Sequence, residues 1–202
     1  MNLETYLNQI RKLDQQVADQ TIVPDRFAET VYRRSSQTIK NWKKKGQNGP
    51  LSVIKIDNGT YITATCLITK INENRSRIDL LKEKLLERLR QFDVLGEDEI
   101  DEVTVYYGEA MEWVGMSVGV PADRSDFGYI AGAVSRETWA SSNPKFMLSA
   151  MVTRQDWNMP GEGFYPLAED LTGETLEEED HVKFVNKQIR LAWEFAQSTK
   201  HG

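Results

Sequence analysis

Phe27-Ala28-Glu29-Thr30-Val31-Tyr32-Arg33-Arg34-Ser35-Ser36-Gln37-Thr38-Ile39-Lys40-Asn41-Trp42 is the stretch that decides how the fold of this chain is read. It lies inside a strongly basic segment. Between Arg26 and Gly46 stand Arg26, Arg33, Arg34, Lys40, Lys43, Lys44 and Lys45 against the single acid Glu29, a net +6 that leaves −12 on the rest of a chain totalling −6. Charge segregated on this scale points to a local polyanion contact, the alternative being a solvated helix face. The segment is bounded by breakers. Pro24 disfavours helix at Val23, and Gly46 to Pro50 interrupts what precedes it.

The quoted residues resemble a helix-turn-helix, with Ala28 opening the motif and Thr38, Ile39 and Trp42 marking the helix that closes it. The interval from Ala28 to Thr38 is one residue longer than the common pattern. The glycine usual in the turn is absent, with Tyr32 near its place. Two ordinary surface helices, or one continuous basic helix ending at Gly46, are the alternatives. On the first reading Arg33, Arg34, Lys40, Lys43, Lys44 and Lys45 are candidate nucleic-acid contacts.

Upstream, Leu3, Tyr6, Ile10, Leu13 and Val17 recur at three- and four-residue spacing. This predicts one amphipathic helix over residues 2–19, with a stripe narrow enough to suit a partner helix. Downstream, Leu51 to Ile56 and Thr60 to Ile68 are rich in β-branched residues and flank Asp57-Asn58-Gly59, whose Asn-Gly tolerates the positive φ of a tight turn, so a β-hairpin is predicted. Cys66 falls on its second strand as a buried, inert thiol. Ser76, with Asp79 three residues on, reads as the N-cap of a helix whose Ile78, Leu81, Leu85, Leu89 and Phe92 form one apolar stripe, ending at Gly96.

Beyond an acidic linker at 97–102, Val103 to Ala110 leads into a helix-like stretch through Met111, Val114 and Val118. Val120 to Ser125 reads as a loop, and Ser125 or Asp126 as the cap of a helix from Phe127 to about Ala140. A strand over Phe146–Val152 and a wing-like turn at Pro160-Gly161-Glu162-Gly163-Phe164 complete a winged-helix order. The Thr104 to Gly108 start, the two helices and the loop between them resemble the DNA-binding half of methylguanine-DNA methyltransferases and alkyltransferase-like proteins. Leu148 to Val152 with Pro160 to Phe164 is also similar to a related uncharacterised bacterial domain. The likeness covers about residues 103–168. It implies a fold and a DNA partner, with Tyr107, Arg124 and Arg136 as contacts. Leu148-Ser149-Ala150 stands where the methyltransferases hold their reactive cysteine, so alkyl transfer to a thiolate is excluded. Phe164 to Leu171 reads as a short helix. The acids 177–180 precede a last helix, with Val182, Val185, Ile189, Ala192, Trp193 and Ala196 at helical spacing.

Catalytic constellations are tested by subtraction. His181 and His201 are the two histidines, neither placed as a general base, and no phosphate-cradling glycine motif is present. One cysteine makes no internal disulfide and is too few for an ordinary zinc site. Apolar runs are too short to span a bilayer, and the N-terminus lacks the features of a secretory signal. The expected fold is therefore α+β and mainly helical: a helical segment 1–50, a hairpin with an amphipathic helix over 51–96, and a winged-helix-like domain over 97–202. The expected function is a cytoplasmic, non-enzymatic nucleic-acid-binding protein, with no catalytic residues, metal or cofactor and no membrane association. Trp139, Trp157 and Phe164 are candidates to stack on bases. The alternatives are a scaffold for a protein partner or homodimer, and a metal-dependent enzyme acting on nucleic acid through Glu109 or Glu162.

Overall fold

The computed structural model describes residues 3–96 and 99–200, which divide into two compact units, one ending at Arg75 and the other beginning at Ser76. The first opens with α1 (Leu3–Ile10) and α2 (Gln15–Gln20). Two helices replace the single one expected over 2–19 because Asp14 caps the second, its carboxylate accepting from the Val17 N–H at 2.9 Å. The stripe expected to meet a partner helix serves the unit's own core instead. Ile10 is buried, the Tyr6 ring lies 4.5 Å from that of Phe27, and Val17 falls outside at 45 % exposure.

Next come β1 (Ile22–Val23), α3 (Asp25–Tyr32), α4 (Ser36–Lys45), β2 (Val53–Ile56) and β3 (Gly59–Thr63). The strands form an antiparallel sheet in the order β1-β3-β2, with Ile62 of β3 opposite Val23 on one side and Val53 on the other. Helices, a strand, two helices joined by a short turn, then a hairpin that pairs back onto the first strand: this is the order of a winged helix-turn-helix, with β2–β3 as the wing. Val23, Phe27, Ala28, Ile39 and Ile62 are buried in one cluster. Burying a side chain the size of Ile39 or Ile62 stabilises by about 1.5–3 kcal/mol.

The expected hairpin forms, but it closes between Ile56 and Gly59, so Gly59 begins β3 instead of lying in the turn, and Asp57 takes the positive φ, at 51°. Gly59 serves space, since a Cβ there would sit 2.4 Å from the Tyr61 ring. The strand β3 stops at Thr63, and Cys66 lies buried on α5 (Ala64–Arg90) instead of on a strand. The reason is spacing: Ala64, Leu67, Ile68 and Ile71 repeat with helical period, and the first two are fully buried. Ser76, expected as a cap, is an exposed interior residue of this helix. Ala64, Cys66 and Leu67 join the first core, and Ile78, Leu81, Leu85 and Leu89 join the second. The chain therefore divides within α5, not at residues 50 and 96, because the hairpin shares its core with α3 and α4.

The second unit continues with α6 (Ile100–Val103), β4 (Val105–Tyr106), α7 (Tyr107–Trp113), α8 (Pro121–Ser141), β5 (Val152–Thr153), α9 (Phe164–Thr172) and α10 (His181–Ser198). Of the expected acidic linker, residues 97 and 98 lie outside the described residues, and Ile100 to Val103 is helical. The expected loop 120–125 is mostly helix. Pro121 opens α8 at a position suited to proline, and the Asp123 carboxylate accepts from the Ser117 N–H at 2.9 Å.

The strand expected over 146–152 is reduced to β5, preceded by a 3-10 turn at Leu148–Met151. Side chains occupy the backbone donors that a strand partner would use. The Met147 N–H donates to Gln188 Oε1 at 2.9 Å, Leu148 N–H to Thr138 Oγ1 at 3.4 Å and Ser149 N–H to Ser135 Oγ at 3.0 Å. β5 pairs in parallel with β4. The chain reversal comes earlier than the expected 160–164, through a turn in which Arg154 N–H donates to Met159 O at 2.8 Å and Thr153 bridges Pro160. α9 and α10 match their predicted extents closely, with the acids 177–180 just before α10.

Candidate nucleic-acid interface

α3 ends in a left-handed cap at Arg33 (φ 52°, ψ 46°). The Arg33 N–H donates to Thr30 O at 3.2 Å and the Arg34 N–H to Glu29 O at 3.0 Å, a pattern that satisfies the last carbonyls of α3 and turns the chain sharply. Ser35 then caps α4, its hydroxyl accepting from the Thr38 N–H at 3.3 Å. The turn is thus Arg33-Arg34-Ser35, one residue later than the place suggested by Tyr32. Tyr32 stays helical, its ring 5.7 Å from Trp42 and its hydroxyl donating to Cys66 O at 3.1 Å. Burial, first of all, raises the Tyr32 phenol far above its ordinary value, and burial raises the Cys66 thiol too. At the far end Gly46, at φ 57° and ψ −134°, ends α4 in a conformation that side-chain-bearing residues rarely adopt.

α4 is fixed by Ile39, which is fully buried. At about 100° per residue, Gln37 and Asn41 stand at roughly 160° and 200° from Ile39, the middle of the opposite face. Lys40 and Lys44 flank them on one side, at about 100° and 140°, and Lys45 on the other, at about 240°. All five are exposed. Lys43 falls on the inner side, where its ammonium donates to both oxygens of Asp25 at 2.9 and 3.0 Å. The candidates of this segment therefore separate. Lys40, Lys44 and Lys45 share one exposed face, Arg33 and Arg34 belong to the turn, and Lys43 is engaged with Asp25. Gln37 and Asn41 were missed, although their i, i+4 spacing opposite Ile39 was legible. On the wing, exposed Lys55 was also missed.

In the second unit, Tyr107, Arg124 and Arg136 do not form such a face. The Tyr107 hydroxyl donates to Arg124 O at 2.9 Å, its ring packs edge-on to Phe127, and burial raises its pKa. Arg124 donates to Val118 O at 3.1 Å, and Arg136 pairs with Asp170 at 2.9 Å. Of the candidate stacking aromatics, Phe164 is buried, Trp139 is half-buried and Trp157 is 73 % exposed. Among the described residues no group of three or more His, Cys, Asp or Glu is placed to hold a metal ion, and no helix is long and apolar enough to cross a membrane.

Charge divides with the units. Up to Arg75 there are 12 basic and 7 acidic residues, net +5, and from Ser76 onward 13 and 24, net −11. An acidic chain thus carries α3, α4 and the β2–β3 hairpin on a basic unit. Comparison with protein-family models, curated proteins and solved structures gave no match.

Proposed function

We propose that the chain is a DNA-binding protein that lays α4 of its N-terminal winged helix-turn-helix in the major groove of duplex DNA. The observation that carries this reading is the face of α4: exposed amides at its centre, lysines on both flanks, Ile39 buried behind. A helix in the major groove turns the middle of its outer face to base edges and its flanks to phosphates, so residue types and positions agree. Lys55 on the wing adds a cation to the same basic unit.

The test is fluorescence-polarisation binding to random-sequence duplex DNA from about 50 to 200 mM salt, where phosphate contacts dominate. Alanine at Lys40, Lys44 or Lys45 is expected to weaken binding to every sequence and to flatten the log–log salt slope by about 0.9 for each phosphate no longer neutralised. Lys43→Ala is expected to leave the slope unchanged and to cost only about 0–1 kcal/mol of stability. Absence of binding at the lowest salt overturns the proposal.

A further inference from the structure

We infer that Gln37 reads an adenine in the major groove and that Asn41 holds the Gln37 amide in the orientation this requires. The inference rests on the DNA-binding reading of α4 and adds which base is recognised and by what. Gln37 is the second residue of α4, and the N-terminal residues of a recognition helix are those that reach base edges. Its side chain is exposed, and it is not left free to rotate: Gln37 Nε2 donates to Asn41 Oδ1 at 3.0 Å, one turn further along the same face.

The hydrogen-bond inventory then selects the base. A primary amide carries two N–H donors and an acceptor oxygen. One Nε2 proton is committed to Asn41. The other, with Oε1, presents one donor beside one acceptor in a plane. Adenine offers the complement on its major-groove edge, an N7 acceptor beside the N6 amino donor, and Gln or Asn bidentate to adenine is the pairing that results. Guanine presents two acceptors, N7 and O6, so Oε1 facing O6 is repelled. The clamp matters because an unrestrained glutamine can turn its amide over and exchange the two edges. Flanking lysines add phosphate contacts that carry no sequence preference.

The experiment is selection of bound duplexes from a randomised library with the full chain, in parallel for wild type and for Gln37→Ala, Gln37→Glu, Asn41→Ala and Lys45→Ala, followed by affinity measurement on the enriched site. Gln37 and Asn41 are exposed, so thermal midpoints near wild type are expected and report that the variants fold. Wild type is expected to enrich an adenine at one position, with discrimination on the order of tenfold or more over other bases. Gln37→Ala is expected to lose the preference at that position alone. Gln37→Glu is expected to move it to cytosine, whose N4 amino group a carboxylate accepts from. Asn41→Ala is expected to blunt the adenine preference, and Lys45→Ala to weaken all duplexes while keeping it. A site whose every position is unchanged by Gln37→Ala, or salt-sensitive binding that enriches no site, overturns this inference and leaves the DNA-binding reading standing. Failure of wild type to retain any duplex at low salt overturns both.

Discussion

At Arg33 one backbone angle decides whether residues 25–45 form one helix or two. The left-handed conformation costs a side-chain-bearing residue about 1–2 kcal/mol, because Cβ crowds the following carbonyl oxygen. Arg33→Gly is therefore expected to keep the turn and to raise stability by up to about 1 kcal/mol in urea denaturation. Arg33→Val, branched at Cβ, is expected to lower both stability and DNA affinity. A valine variant as stable as wild type would show that this angle does not set the turn. The missing glycine in the sequence looked like a departure from the motif, yet arginine occupies the glycine's conformation. Periodicity could not show which residue did so, since the stop is set by Tyr32, held helical by contacts with Trp42 and Cys66. Lys43 teaches the same lesson in charge: a sequence counts seven cations in the segment, while only geometry reveals the Asp25 partner.

Among the elements, α8 and the turn after it show how tertiary contacts override local preference. Thr138 Oγ1 donates to Phe146 O at 3.0 Å and accepts from the Leu148 N–H at 3.4 Å. The buried hydroxyls of Ser135 and Ser149 lie 2.6 Å apart. Thr138→Val keeps the shape and strips the hydroxyl, leaving Phe146 O and Leu148 N–H without that partner. It is expected to cost about 1–3 kcal/mol in chemical denaturation. Phe146 to Val152 read as a strand because its composition is apolar, but its donors are met by Gln188, Thr138 and Ser135, and no spacing rule reaches that far. The cap at Ser35 and the helical spacing of α10 were legible, being local. The sheet was legible only in its hairpin. β1 is two residues long and pairs Ile22 with Thr63, so the strand that completes the winged order left almost no trace in the sequence.

For the molecule as a whole, alkali is the revealing condition. Burial raises the pKa of Cys66 and of Tyr6, Tyr32, Tyr107 and Tyr165, groups drawn from both units. Each is held neutral in the fold and ionises more easily in the unfolded chain. The stability they contribute is complete below the ordinary values of 9.0 for Cys66 and 10.0 for the tyrosines, and is lost as pH climbs through the folded values. Urea midpoints are expected to hold steady to about pH 9 and to fall beyond it, less steeply in Tyr32→Phe with Cys66→Ala. The division of charge at Arg75 has a practical side. An isoelectric point of 5.1 averages two parts of opposite sign, so the chain is expected to adsorb to an anion exchanger through its acidic residues while, on the proposed DNA-binding reading, its basic unit would still hold polyanions. Nucleic acid carried through purification would therefore travel with an apparently acidic protein, and the ratio of absorbance at 260 and 280 nm is the first property of a fresh preparation to inspect.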